Sequence, residues 1–326
     1  MARSWVAAIR AAGVVPAAYV PEASLGRPAD EVVAATAVED LVLCAHPVTA
    51  GAWAPRAACF LDGIQHWRVV GQSGVAPVVH AYVAAAVRRR GPDRRPRTLA
   101  MRAREFVITH LAALPAPARR ALEESGMDVV DLPAAELGQP GRTLRAAHVR
   151  VDRAREAIEH ELAEACVAAL GPDEWLVVDG LLSDAETAAA HPRAVGVIKS
   201  HGTQFFSGAE LECALTLPAG HRTSVFRPES HAHRPVYSWY LRLWPWEGND
   251  VLYGLVRVEA RAHPDSVRAA PAISAWLAAE RAPLATPDAR WDRLLYPIHD
   301  VETYLRSRMP RELVPAPGSR LPKTGT

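Results

Sequence analysis

Two aspartates sit in the same local setting. Asp62 follows the apolar run Ala58-Cys59-Phe60-Leu61, and Asp179 follows Trp175-Leu176-Val177-Val178; Gly63 and Gly180 come next. A short apolar run bounded by a glycine reads as a buried strand, so each run carries one carboxylate to a strand end. Between them lies a helical segment bearing Glu161. Carboxylates within ~4–6 Å of one another repel unless a cation sits between them. Mn²⁺ and Mg²⁺ prefer such oxygen ligands. Asp62, Glu161 and Asp179 are therefore the expected metal ligands and catalytic residues. Lys199, at the end of Ala194-Val195-Gly196-Val197-Ile198, is expected to contact a phosphate beside them. The competing reading is that each Asp-Gly merely forms a turn. Two of them after apolar runs, with a helix glutamate between, favour a shared site.

The elements that must position these groups can be read from periodicity. Residues 151–170 form the clearest helix, with Asp152 as N-cap and Gly171-Pro172 as the stop. Ile158, Leu162, Ala165 and Ala169 fall on one face, with Glu161 beside them and Glu156, Glu159 and Glu164 turned towards solvent. Upstream, strands are expected at 58–62, 65–70 and 75–83, with Gly71-Gln72-Ser73-Gly74 as a hairpin turn between the last two. Residues 99–140 read as helical, and 30–44 as a helix leading into a strand over Asp40–Cys44. Two alternating runs, 236–246 and 251–260, predict a hairpin through Glu247-Gly248-Asn249-Asp250. A last helix is expected near 300–308.

The run RRRGPDRRPR at 88–97 is either a solvated loop or a phosphate-contacting one. In the second case Arg88, Arg89, Arg90, Arg94 and Arg95 would neutralise a nucleic-acid backbone. The chain's net charge is only +1, so any nucleic-acid surface has to be a local patch. Its four cysteines, Cys44, Cys59, Cys166 and Cys213, form no CxxC pair, which argues against a zinc knuckle and for a reduced, cytoplasmic protein. No apolar stretch approaches the ~20 residues of a membrane helix, and no signal peptide or Gly-rich nucleotide loop is visible. His231-x-His233 reads as a surface loop rather than a metal site. Leu321-Pro322-Lys323-Thr324-Gly325 reads as a chance match to a sorting signal within a disordered tail.

Strand with Asp, two strands, helix with Glu, strand with Asp, then further α/β elements is the order of an RNase H-like fold. The expected fold class is thus α/β: an RNase H-like mixed sheet flanked by helices, with a helical insertion at about 88–150 and a C-terminal hairpin. Residues 1–57 form an N-terminal extension, 58–309 the nuclease-type domain and 310–326 a tail. FLDG at 60–63, VVDG at 177–180, VGVIKS at 195–200 and LYPIHDVETYL at 295–305 together resemble the NurA nuclease family over roughly residues 58–308. The resemblance implies a manganese-dependent (or magnesium-dependent) nuclease acting on DNA ends and single strands. It also implies a homodimer that works with a hexameric HerA-type ATPase in DNA repair or phage defence. Two departures stand out. Ile64 and Leu181 replace a serine frequent in the family, and Tyr304 falls where the family places a metal-binding histidine. His299, then Asp300, are the expected substitutes as metal ligands. The alternative is a non-catalytic subunit that binds DNA or the ATPase. A sugar-kinase-like ATPase would need phosphate loops that this chain lacks.

Overall fold

The structure is a computed structural model that describes residues 4–13, 31–49, 51, 53–136, 140–229, 234–247, 249, 251–284, 291–310 and 313. Helix α1 (Ser4–Ala11) is followed by short strands β1 (Glu31–Val32), β2 (Ala35–Ala37) and β3 (Ala45–Pro47). Three long strands form a meander: β4 (Ala57–Ser73), β5 (Ala76–Arg90) and β6 (Pro96–Thr109). Helix α2 (Ala116–Ser125), β7 (Asp128–Asp131) and the long helix α3 (Pro140–Ala169) lead to β8 (Glu174–Asp179), α4 (Glu186–Ala190) and β9 (Ala194–Ile198). Then come β10 (Thr203–Gln204), α5 (Gly208–Leu215), β11 (His221–Thr223), β12 (Phe226–Pro228), β13 (Val236–Arg242), β14 (Leu255–Arg261), α6 (Pro264–Ala279) and α7 (Tyr296–Arg308).

This is an α/β protein built on one large mixed sheet flanked by helices. The strand order is β2-β12-β13-β14-β9-β8-β4-β5-β6-β7, with β11 and β3 added beside β13. At its centre β4, β8 and β9 run parallel, while β5 and β14 are antiparallel to their inner neighbours. Alternation along β4 decides what each face meets. Ala58, Phe60 and Ile64 pack with Trp276 of α6 and Ile298, Val301 and Leu305 of α7. Cys59 and Leu61 pack against Leu162, Ala163 and Cys166 of α3. Both faces are therefore covered, which is why the central runs are apolar throughout.

Several local expectations are corrected. The strands expected at 58–62 and 65–70 are one strand, β4, interrupted only by an irregularity between Val69 and Gly71. Its hairpin turn lies at Gly74-Val75, so of the segment expected at 75–83, residues 76–83 form the first part of β5. Residues 99–109 are strand, not helix. Ala, Met, Arg and Glu favour a helix locally, but twelve of the fourteen residues of β6 pair with β5 and the pairing overrides that preference. Among the described residues 31–44 there is no helix, and no strand covers Asp40–Cys44; β2 and β3, on either side, pair with β12 and β11. The expected C-terminal hairpin is present as β13 and β14, in register from Val236 opposite Arg261 to Arg242 opposite Leu255. Of its expected turn, Gly248 and Asp250 lie outside the described residues, as do His231, His233 and nearly all of 310–326. No helix among the described residues is long and apolar enough to cross a membrane.

Candidate active site

Strands β4 and β8 are adjacent and parallel, with Leu61 opposite Val178, so Asp62 and Asp179 follow on the next rung. The two Asp-Gly pairs are not equivalent. Gly180 has φ +130° and takes the chain out of β8 in a conformation that L side chains avoid. Gly63 stays within β4, opposite Ala85, and forms no turn. What Gly63 supplies is space: a Cβ there would overlap Oε1 of Glu159 and lie 2.9 Å from its Cδ.

Asp62 is only 7% exposed, and one of its carboxylate oxygens accepts the Gly63 N–H at 2.8 Å. Burial and then the charge of Asp179 hold its pKa well above the usual carboxylate range. Lys199 opposes this rise, whereas Glu302 and Glu159 add to it. The buried Lys199 ammonium lies 2.8 Å from the half-buried Asp179, so its partner in this structure is that carboxylate. Glu159 is also buried, and both of its oxygens accept from Arg155 Nη1, at 2.7 and 2.6 Å. Arg155 in turn donates to Gln65 of β4, and Gln65 donates to Asp152, fixing the helix against the strand. Burial outweighs the pull of Arg155 and pushes Glu159 up to about 7.

The helix glutamate at the site is therefore Glu159 and not Glu161. Glu161 has a side chain 62% exposed and pairs with Arg102 at 3.4 Å. The buried stripe of α3 runs through Val151, Glu159, Leu162, Ala163, Cys166 and Val167, with half-buried Ile158 packed beside it, whereas Ala165 and Ala169 are exposed. The sequence held only a partial signal: the doublets Leu162-Ala163 and Cys166-Val167 place residue 159 one turn earlier on the same face, but the competing alanine stripe through Ala165 and Ala169 leaves the phase open.

Helix α7 is also phased differently from expectation. Its buried residues are Pro297, Ile298, Val301, Glu302 and Leu305. Glu302 is held by Arg306 at 2.6 Å and is the α7 residue whose charge acts on Asp62. Asp300 instead pairs with Arg88 at 3.1 Å. His299 is half-buried, and its Nδ1 has no hydrogen-bond partner among the described residues. Tyr304 stacks beneath Arg88, 4.8 Å from its guanidinium carbon.

The basic run is a hairpin rather than an insertion loop. Arg88, Arg89 and Arg90 close β5, and each is engaged within the fold, by Asp300, Glu174 and Glu280 respectively. Arg94 and Arg95 are exposed in the turn to β6.

Among the described residues, one group brings three potential metal-ligand atoms within 4.8 Å of one another: Glu39, Asp40 and His46. These side chains are already partnered. Arg222 grips both oxygens of Glu39, and Asp40 accepts from Ser224 at 2.6 Å and meets His46 at 2.8 Å. They tie the N-terminal segment to β11. No three of the central carboxylates are drawn so close, because Lys199, Arg155 and Arg306 hold Asp179, Glu159 and Glu302. The donor set is nonetheless all oxygen, the chemistry that a hard divalent cation takes.

A stability test separates Glu159 from Glu161. The folded pKa of Glu159 is about 7, above its ordinary 4.5. Its contribution is therefore complete below the unfolded value and is lost as pH rises through about 7. Glu159→Gln is expected to flatten the fall of metal-free Tm across that window, and Glu161→Gln to leave it unchanged. Equal slopes in the two variants would remove Glu159 from the buried cluster.

No family model matches this sequence, and no curated protein matches it.

Proposed function

We propose that the protein is a metal-dependent DNA nuclease with an RNase H-like core, as its NurA-type motifs imply. The run β6-β5-β4-β8-β9 supports this: an antiparallel meander joined through β4 to two parallel strands, with α3 crossing before β8. The observation that carries the reading is the setting of Asp62. It is buried beside the strand-end Asp179 of the parallel neighbour, and two helix glutamates, Glu159 and Glu302, act on the same carboxyl.

Mn²⁺ or Mg²⁺ would be held by Asp62, Asp179 and Glu159, with Glu302 in the role first expected of His299 or Asp300. When bound, such an ion activates a water and stabilises the leaving oxygen of a phosphodiester. Asp62 holds its proton to unusually high pH and must release it to act as a ligand. Lys199 neutralises Asp179 and stands where it can turn to a substrate phosphate. Arg155 fixes Glu159, and Gly63 leaves room for it. The resemblance extends the proposal to a homodimer acting on DNA ends or single strands with a HerA-type ATPase, in the cytoplasm, in repair or phage defence.

One observation favours the second reading, a non-catalytic subunit of the same fold. Lys199, Arg155 and Arg306 already balance three of the four carboxylates. Incubation of the purified protein with labelled single-stranded DNA separates the two. The nuclease reading expects cleavage with Mn²⁺ and none with EDTA. Bound but intact DNA at every Mn²⁺ concentration would leave the non-catalytic subunit.

A further inference from the structure

The hairpin between β5 and β6 and the segments flanking α6 and α7 enclose a cleft of about 360 Å³, separate from the carboxylate cluster. Four arginines are among its lining residues, Arg88, Arg90, Arg94 and Arg281, with two acidic residues, Glu280 and Asp300. Arg88 and Arg90 consume both carboxylates in ion pairs. Two positive charges are left over. Among the described residues neither Arg94 nor Arg281 forms an ion pair. Arg281 is pre-set, donating to the Leu243 carbonyl at 2.8 Å and lying 3.9 Å above the Trp244 ring.

Arg94 adds an independent observation. Its φ is +56°, and it is the one non-glycine residue in the left-handed region among the described residues. Its N–H closes a turn onto the Gly91 carbonyl at 2.9 Å, a position that glycine or asparagine fills without strain. An arginine there places a guanidinium at the mouth of the cleft in spite of its backbone. Tyr296, 57% exposed, and Pro297 form an apolar wall beside it. Phe60 lines the same cleft and lies two residues before Asp62 on the same face of β4, roughly 7 Å along the strand.

We propose that this cleft, through Arg94 and Arg281, holds one phosphate of a DNA strand whose neighbouring segment reaches the carboxylate cluster. The choice of DNA as ligand rests on the nuclease reading above; the surplus of two guanidiniums in a cleft does not. Two guanidiniums without an ion-pair partner among the described residues, that of Arg281 already oriented by Leu243 and Trp244, suit the oxygens of a phosphate, and Tyr296 offers a surface for the adjoining base. Arg89 and Arg95 play no part, because neither lines the cleft.

The test is Arg94→Gly. Glycine relieves the left-handed backbone, so a variant that folds as well as the wild type or better is expected, whereas its affinity falls. Binding of a fluorescent single-stranded oligonucleotide is measured in EDTA, with and without a 5′-phosphate, in wild type, Arg94→Gly and Arg281→Ala. Loss of one such contact is expected to weaken binding by about tenfold or more. The slope of log affinity against log salt should fall by about 0.7 in either single variant, and by no more in the double, since one phosphate is shared. A loss on both oligonucleotides assigns the cleft to an internal phosphodiester; a loss confined to the phosphorylated one assigns it to a terminal phosphate. Unchanged affinity and slope in a folded Arg94→Gly protein would overturn the proposal. Mn²⁺-dependent cleavage is followed in parallel. Cleavage that persists with no effect of Arg94→Gly on binding or rate sinks the cleft and keeps the nuclease. Arg94-dependent binding with no cleavage by the wild type does the reverse.

Discussion

Asp62→Asn is expected to lower Mn²⁺-dependent cleavage by roughly four to six orders of magnitude, the scale seen when one member of a catalytic unit is removed. The same change is expected to raise the melting temperature of the metal-free protein. Both effects have one source. Asp62 is buried beside Asp179, and Glu302 and Glu159 also act on it, so its ionised form is disfavoured in the fold. With a folded pKa above the unfolded one, its favourable contribution is complete below the unfolded value and is lost as pH rises through the folded value. At neutral pH the carboxylate therefore costs stability, and an amide of the same shape removes that cost. The gain in Tm should be largest at neutral or higher pH and should vanish below about pH 4, where the unfolded carboxyl is protonated too. Turnover on labelled single-stranded DNA and thermal unfolding in EDTA across pH measure the two effects. Wild-type cleavage rates in Asp62→Asn would exclude it from the chemistry. A lowered Tm would mean that the carboxylate is compensated by partners other than those described.

Gly63→Ala is expected to be nearly as damaging, for a steric reason. The residue lies in extended β4 and needs no special backbone angle, so the penalty comes only from the added methyl. That methyl would overlap the Glu159 carboxylate and lie 2.9 Å from its Cδ and 3.1 Å from its Cγ. Glu159 cannot yield freely, because Arg155 grips both of its oxygens and is itself tied to Gln65. Overpacking of a filled interior typically costs about 1–3 kcal/mol, and Glu159 is displaced from its place beside Gly63 and Arg155. Loss of stability in urea and loss of cleavage should therefore appear together. The double variant Gly63→Ala with Glu159→Ala removes the clash and is expected to regain stability relative to Gly63→Ala alone, but not activity. If the single Gly63→Ala variant unfolds at the wild-type urea midpoint, Glu159 is not held where this account needs it.

The sequence by itself determined that two aspartates follow apolar strand runs, because an apolar run followed by Asp-Gly is a local pattern; that only Asp179 ends its strand, while Asp62 lies within β4, was decided by the pairing of β4 with β5. It also determined where the helix before β8 stops, through Gly171-Pro172, and the β13–β14 pair, through alternation; the helix start expected at Asp152 is corrected, because α3 already begins at Pro140 and Asp152 lies inside it. Neither helix phase was legible to the residue. Two positions turn a helix by about 200°, so choosing between Glu159 and Glu161 required the face that α3 presents to β4. The apolar stripe permitted either phase, since α3 is rich in alanine and long charged side chains. The same holds for α7, where Glu302 acts on the cluster while Asp300 turns to Arg88. The course of residues 99–109 was decided by pairing along β5, which outweighs a helical composition. The partners of Arg88, Arg89 and Arg90 lie at Asp300, Glu174 and Glu280, many residues away. Local spacing sets which residue types are present, but which carboxylate meets which guanidinium depends on sheet register and helix rotation, and these are fixed only when the core packs.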